Sequence, residues 1–365
     1  MIWAMIHAMI HAMIHAMIWA LLIMLLLAAP VRAQELTRVF GPADAPARIV
    51  LRSTTDLAVM APVIARFLTT RPDLRLDYEQ WGSNDLFALG VADCAAGRAG
   101  ADLLISSAVH HMVRLVNDGC AAVHVSAHTR ALPPALTWRD EIWGVTTEPV
   151  VMVYNRDLVP AWEVPRSRFD LLDLLRPEES RYHGRVATYD IETSGLGYLL
   201  AFADSLEATT FGGLMESFGR SGAVATCCSA QIIDAVINGE YLIAYNVLGS
   251  YAMARAATDP RLGVIAPSDY TLVLSRAAMI PKDAAARADA GAFVDFLLSD
   301  TGQLALREVL LILSLDAGDG GLVDLHQSIE SFRRPIALSP ALLIALDAHK
   351  RAIFLRRWRA AFPAP

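Results

Sequence analysis

The sequence is poor in charge, in cysteine and above all in lysine. Charged residues make up 19% of the 365 positions against 55% apolar ones. That balance excludes intrinsic disorder, because such a chain buries a large core. Four cysteines cannot form the scaffold of a small disulfide-rich domain, and none of their spacings is the Cys-x-x-Cys of zinc or thioredoxin chemistry. The formal charge is −7, with 31 basic against 38 acidic residues, so no basic face for nucleic acid is expected. The only lysines, Lys282 and Lys350, stand in no phosphate-binding loop. Gly-x-Ser-x-Gly, Ser-x-x-Lys and His-Glu-x-x-His are all absent, and no enzyme is expected. No stretch after Gln34 reaches the roughly 18 uncharged apolar residues of a membrane span.

The start of the chain is the exception. Residues 1–31 hold no Asp, Glu, Lys or Arg, and the tetrapeptide Met-Ile-His-Ala occurs three times between Met5 and Ala16. A four-residue repeat keeps no consistent face at 3.6 residues per turn and is given no folded role. Leu21–Ala29 is an apolar core of signal-peptide length. Val31 and Ala33 put small residues at −3 and −1 before Gln34, so residues 1–33 are expected to be a cleaved leader; an uncleaved anchor is the alternative. A start at Met13 or Met17 would explain the missing positive n-region. The chain from Gln34 keeps 30 basic and 38 acidic residues, a formal charge of −8.

From Gln34 onward strands and helices alternate. Arg48–Arg52, Leu74–Tyr78 and Ala101–Ile105 read as strands. Each ends in a hydroxyl-rich loop: Ser53, Thr54 and Thr55; Ser83; Ser106 and Ser107. Helices are expected after each, with Pro62 close to the start of the first. In parallel α/β sheets ligands bind at such strand ends. Glu141–Asn155 reads as two extended segments where one domain ends. A second set follows, with Arg185–Tyr189 and Tyr241–Tyr245 as strands and helices after Ser194 and Ser229. Leu262–Ile265 and Thr271–Leu274 are extended and lead back to the first lobe, and the tail is helical. The expected fold is therefore α/β, two lobes joined by two crossings: lobe 1 from 34–145, lobe 2 from 146–260, then 261–365 returning to lobe 1 with C-terminal helices.

Several constellations carry little chemistry. Gly195-Leu196-Gly197 opens a dinucleotide fingerprint, but Leu200 stands at the third glycine and the motif fails. His110 and His111 point about 100° apart on a helix and read as polar residues at a surface helix start. Cys94 and Cys120 are placed to pair in an oxidising compartment. Cys227 and Cys228 are neighbours, for which two thiols or a structural role is expected. The basic tail, Lys350 to Arg359, is interleaved with Ile353, Phe354, Leu355 and Trp358 and reads as an amphipathic helix on the first lobe.

Trp143-Gly144-Val145-Thr146-Thr147-Glu148-Pro149, the following Val150–Asn155, Gly184-Arg185-Val186-Ala187, Thr193-Ser194-Gly195-Leu196-Gly197, Asn238-Gly239-Glu240 and Asp259–Pro267 occur in an order that resembles the type II periplasmic solute-binding proteins of ABC importers. The similar branch is the one related to ferric-iron, phosphoglycerate and phosphonate binders, over about residues 45–305. The resemblance implies the two-lobe periplasmic-binding fold and a ligand held between the lobes. It implies a permease as partner or a membrane sensor kinase, a monomeric protein and no cofactor. Matching positions for ligand contact are Ser53, Thr54, Thr55, Ser83, Ser106, Ser107, Glu148, Thr193, Ser194, Gly195, Asn246 and Tyr251. The helix starting at Ser194 offers free N–H groups to an anion. Ferric members carry adjacent tyrosines after the strand ending here at Tyr245; Asn246 and Val247 stand there instead. A small organic anion is therefore expected, with iron as the alternative and no metal site assigned.

Overall fold

Short apolar, β-branched segments bounded by caps build the first sheet. The computed structural model describes residues 34–177, 179–207, 209–313 and 332–362; the expected leader lies outside them. Strands β1 (Leu36–Phe40), β2 (Ala47–Ser53), β3 (Leu74–Gln80), β4 (Leu103–Ser106), β5 (Thr137–Trp138), β6 (Ile142–Gly144) and β13 (Ala277–Met279) lie in the order β1-β3-β2-β4-β13-β6-β5. The β2–β3 and β2–β4 pairings are parallel, so helices Leu57–Thr70 and Ser83–Ala95 make the crossovers. Pro62 sits inside the first of these rather than near its start. The buried face of Met60, Val63, Ile64 and Phe67 carries the helix through the missing hydrogen bond.

The second sheet is built on β7 (Glu148–Asn155), buried at all eight positions. β10 (Ile243–Leu248) pairs along one edge of β7. β11 (Leu262–Ile265) and β12 (Thr271–Leu274) share the other. β8 (Val186–Tyr189), β9 (Val224–Thr226) and β14 (Arg333–Pro335) complete it in the order β14-β12-β7-β10-β8-β9. The way back to the first sheet is thus not Leu262–Leu274 but β13, since a long buried strand has edge enough to hold both short ones. Among the described residues no helix is long and apolar enough to cross a membrane.

Three side-chain expectations need correction. Helix Ala348–Ala361 docks on the second lobe, not the first. Its Leu355 and Trp358 join Tyr198 and Phe202 in one buried cluster, and Gly219 lets its backbone approach to 3.3 Å of a Cβ position. That contact needs helix Phe211–Arg220, which three glycines hide in the sequence. Cys94 and Cys120 are bonded, as their placement in the sequence allowed, with Cα atoms 5.4 Å apart. Cys227 and Cys228 are also bonded to each other, because the turn from β9 into helix Ser229–Ile237 brings the neighbouring sulfurs together.

The third correction concerns His110 and His111, which are interior. Helix Val109–Asn117 buries seven of its nine residues, because the first sheet lies on one side and helix Gly195–Glu207 on the other. His111 stacks on Phe87 at 4.3 Å and His110 lies 5.7 Å from Tyr198. Both ring nitrogens of His110 and Nδ1 of His111 have no hydrogen-bond partner among the described residues. Burial lowers the His111 pKa to about 4, and burial, then His111 and Arg351, holds His110 well below its ordinary range. The unfolded chain therefore binds more protons than the fold below about pH 6.5, and stability falls as pH drops toward 4. For His111 the loss is about 3 kcal/mol. The His110→Leu, His111→Leu double variant should melt with a shallower dependence on pH between 7 and 4; a slope equal to that of the native sequence contradicts the assignment.

Candidate functional site

The two crossings meet in one buried ion pair. Glu148 starts β7 and Arg276 lies between β12 and β13, both fully enclosed. The guanidinium grips the carboxylate with Nε at 2.8 Å from Oε1 and Nη2 at 3.1 Å from Oε2. Thr146 and Ser250 donate their hydroxyls to the same carboxylate at 2.8 and 2.5 Å. The remaining Nη1 donates to Thr55 Oγ1 at 3.2 Å and toward Thr54 O. Burial opposes the charge on Arg276, but Glu148, then Tyr251, hold its pKa above the ordinary value. Removing one partner of such a pair strands a charge, at a cost of about 3–5 kcal/mol.

Above this pair opens a cleft of about 300 Å³. One wall comes from the carboxyl ends of β2, β3 and β4, where Thr54, Asp56, Gln80, Trp81, Ser83 and Ser107 lie. The other comes from the second lobe, through Tyr189, Thr193, Ser194, Leu196, the Cys227–Cys228 bridge and Ser229. Leu248 and Tyr251 border it, and Arg276 reaches it from below. Helices Gly195–Glu207 and Ser229–Ile237 both start at this wall and turn the positive ends of their dipoles toward it; at the first, Gly195 N and Gly197 N already donate to Ser83 Oγ and Ser194 Oγ. The walls touch at one side. Ser83 Oγ accepts from Gly195 N at 2.9 Å, and Asn84 donates to the carbonyls of Glu192 and Thr193 at 3.2 and 2.9 Å.

Of the residues singled out in the sequence, Thr54, Ser83, Ser107, Thr193, Ser194 and Tyr251 line the cleft. The others stand behind it. Ser53 and Ser106 accept backbone N–H groups two residues on, as loop-forming hydroxyls do. Thr55 and Glu148 are consumed by Arg276. Gly195 is pressed against the first lobe, where a Cβ would lie 2.6 Å from His111 Cε1. Asn246 takes a positive φ of 60° where the β10–β7 register shifts, and its amide faces Asp204 at 3.4 Å. Within the cleft, Ser194 Oγ accepts from Gly197 N at 3.0 Å and caps its own helix.

Sequence reading missed Arg276, Gln80, Tyr189 and Asp56. Asp56 had a signal, because it directly follows the hydroxyl run Ser53, Thr54 and Thr55. Arg276 is a lone arginine after a strand, and its role appears only once the crossings are side by side. Burial pushes the Tyr189 phenol up to about 12 and raises that of Tyr251, so both are neutral hydrogen-bonding groups. Among the described residues no three His, Cys, Asp or Glu side chains are placed to hold a metal ion.

Bacterial extracellular solute-binding proteins match over residues 51–308. The substrate-binding protein of an ABC transporter from Agrobacterium tumefaciens is 30% identical, with a TM-score of 0.83 over 92% of this chain and 100% of that one. Iron-bound HitA from Pseudomonas aeruginosa is 18% identical, with a TM-score of 0.66 over 84% and 99%. AfuA from Actinobacillus pleuropneumoniae, with fructose-6-phosphate bound, is 15% identical, with a TM-score of 0.65 over 88% and 100%. These last two share the fold. A search of curated proteins gives no match. A two-lobe fold with a cleft at its strand ends, and a family match over most of the chain, lead to one conclusion: the protein belongs to the bacterial extracellular solute-binding proteins.

Proposed function

We propose that the protein captures a small anionic organic solute in this cleft, in the periplasm, and passes it unchanged to an ABC permease. The observation that carries the reading is the cleft itself: two helix N-termini face one cavity between two lobes, whose floor is the paired Arg276. Such groups favour an anion without any lysine. The likeness to the Agrobacterium transporter protein supports the transport role. Closure of the lobes about Gly144–Glu148 and Leu274–Ala277 is the hinge motion of such proteins. A leader removed before Gln34 and a monomeric mature chain belong to the same proposal.

Iron is the less favoured cargo. A ferric ion is held by several hard oxygen donors together, whereas the tyrosines of the cleft, Tyr189 and Tyr251, are not adjacent in sequence, and among the described residues no three His, Cys, Asp or Glu side chains are placed to hold a metal ion. A melting screen of carboxylates, phosphonates and ferric citrate is expected to find stabilisation by an organic anion, of about 2.7 kcal/mol at a hundred times Kd. Stabilisation by the ferric salt alone contradicts the reading.

Ser194 has two roles to separate. Ser194→Ala should lower folding stability by about 1 kcal/mol through the lost cap. It should also weaken the anion found in the screen by about 0.5–3 kcal/mol in a calorimetric titration. Lowered stability with unchanged affinity removes Ser194 from the site and leaves the transport role standing.

A further inference from the structure

The first-lobe wall of the cleft carries negative charge that no lysine, arginine or histidine side chain among the described residues neutralises. Glu35 and Asp56 both line the cavity. Neither has a lysine, arginine or histidine partner among the described residues, although most other acids around the first sheet do: Asp77 pairs with Arg48, and Glu79 and Asp93 pair with Arg52. The cleft's own cation, Arg276, is already committed to Glu148.

The two carboxylates are held in place by a neutral group. Gln80 donates Nε2 to Glu35 at 2.7 Å and faces Asp56 Oδ1 at 3.5 Å, while its Oε1 accepts from Leu57 N at 2.8 Å. An amide fixes their position without cancelling their charge. Asp56 shows the same bias. It occupies the N-cap of helix Leu57–Thr70, yet its side chain makes no cap bond, whereas an aspartate there ordinarily accepts from the first turn. The helix start is served instead by Gln80 Oε1, and the Asp56 carboxylate remains available to the cavity.

We infer that the solute is zwitterionic, with a primary ammonium held by Asp56 and Glu35 on the first-lobe wall and its anionic end on the second-lobe helix starts. An ammonium supplies donors to both carboxylates and the missing positive charge at once. The opposite wall, with the N-termini of Gly195–Glu207 and Ser229–Ile237, takes the other end. Trp81, Leu196 and the Cys227–Cys228 bridge give the carbon chain between them an apolar lining. A solute of this class spans both lobes, so each charged end rewards closure. The inference rests on the cleft being the solute site.

The test compares 3-aminopropanoate, 4-aminobutanoate and 3-aminopropylphosphonate with propanoate, butanoate and propylphosphonate by titration calorimetry on the mature protein. At least one amine-bearing member should bind ten-fold or more tightly than its counterpart without the amine. Glu35→Gln with Asp56→Asn should abolish that preference, with the anion alone binding more tightly than to the native protein because two repelling charges are gone, and with melting temperature recorded to show that the variant is folded. Counterparts that bind as tightly as the amines in the native protein overturn the zwitterion and leave the anion-binding function standing. Binding of neither set overturns both readings. Calcium ion alone raising the melting temperature, with the effect lost in the double variant, assigns the carboxylates to a metal and overturns the inference.

Discussion

Everything about the cleft depends on the burial of Arg276 against Glu148. The two residues sit on the two chain segments that connect the sheets, so their ion pair fastens the crossings together. Its outer bonds reach Thr55 in the first lobe and Ser250 in the second. A buried pair of this kind is tolerable only when its remaining donors and acceptors are satisfied. Here Thr146 on the first crossing, Ser250 in the first turn of helix Gly249–Ala256, and Thr55 and the Thr54 carbonyl on the loop after β2 do that. Satisfying the pair therefore fixes the strand-end loops from which the walls rise.

The division of charge between the walls follows from the same economy. One arginine, already shared with Glu148, cannot also balance Glu35 and Asp56. Among the described residues the second lobe contributes neutral side chains to the cleft and two helix starts, whose partial positive charge is built into the backbone. One wall is thus acidic and the other electropositive, and the cavity between them is small. The two walls already touch at Ser83–Gly195 and Asn84–Thr193.

Much of this was legible in the sequence, and what was not has physical reasons. Strand positions 48–52 and 74–78 declared themselves by β-branching and alternation, and the loops after them by their hydroxyls. Expectations failed where one element covers another. His110 and His111 look like surface residues until helix Gly195–Glu207 lies across them. Helix Phe211–Arg220 has too many glycines to announce itself, yet Gly219 is what lets the C-terminal helix dock. At the cleft, hydroxyls such as Thr54 and Ser107 were found through strand ends, but Ser53 and Ser106 look identical in sequence and point into their own loops. Arg276 was missed because a salt bridge across 128 residues leaves no local pattern.

The central claim is that the inter-lobe cleft above Arg276 is where solute binds. Ala230 opens onto it from the first turn of helix Ser229–Ile237 and is partly exposed there, so a tryptophan at that position fills the cavity without entering the core. Titration of native and Ala230→Trp proteins with the solute that most raises the melting temperature tests the claim directly. The account predicts one-to-one binding to the native protein, weakened by two orders of magnitude or more in the variant, with the melting of the unliganded proteins closely similar. Equal affinity in both would place the solute elsewhere and contradict the account.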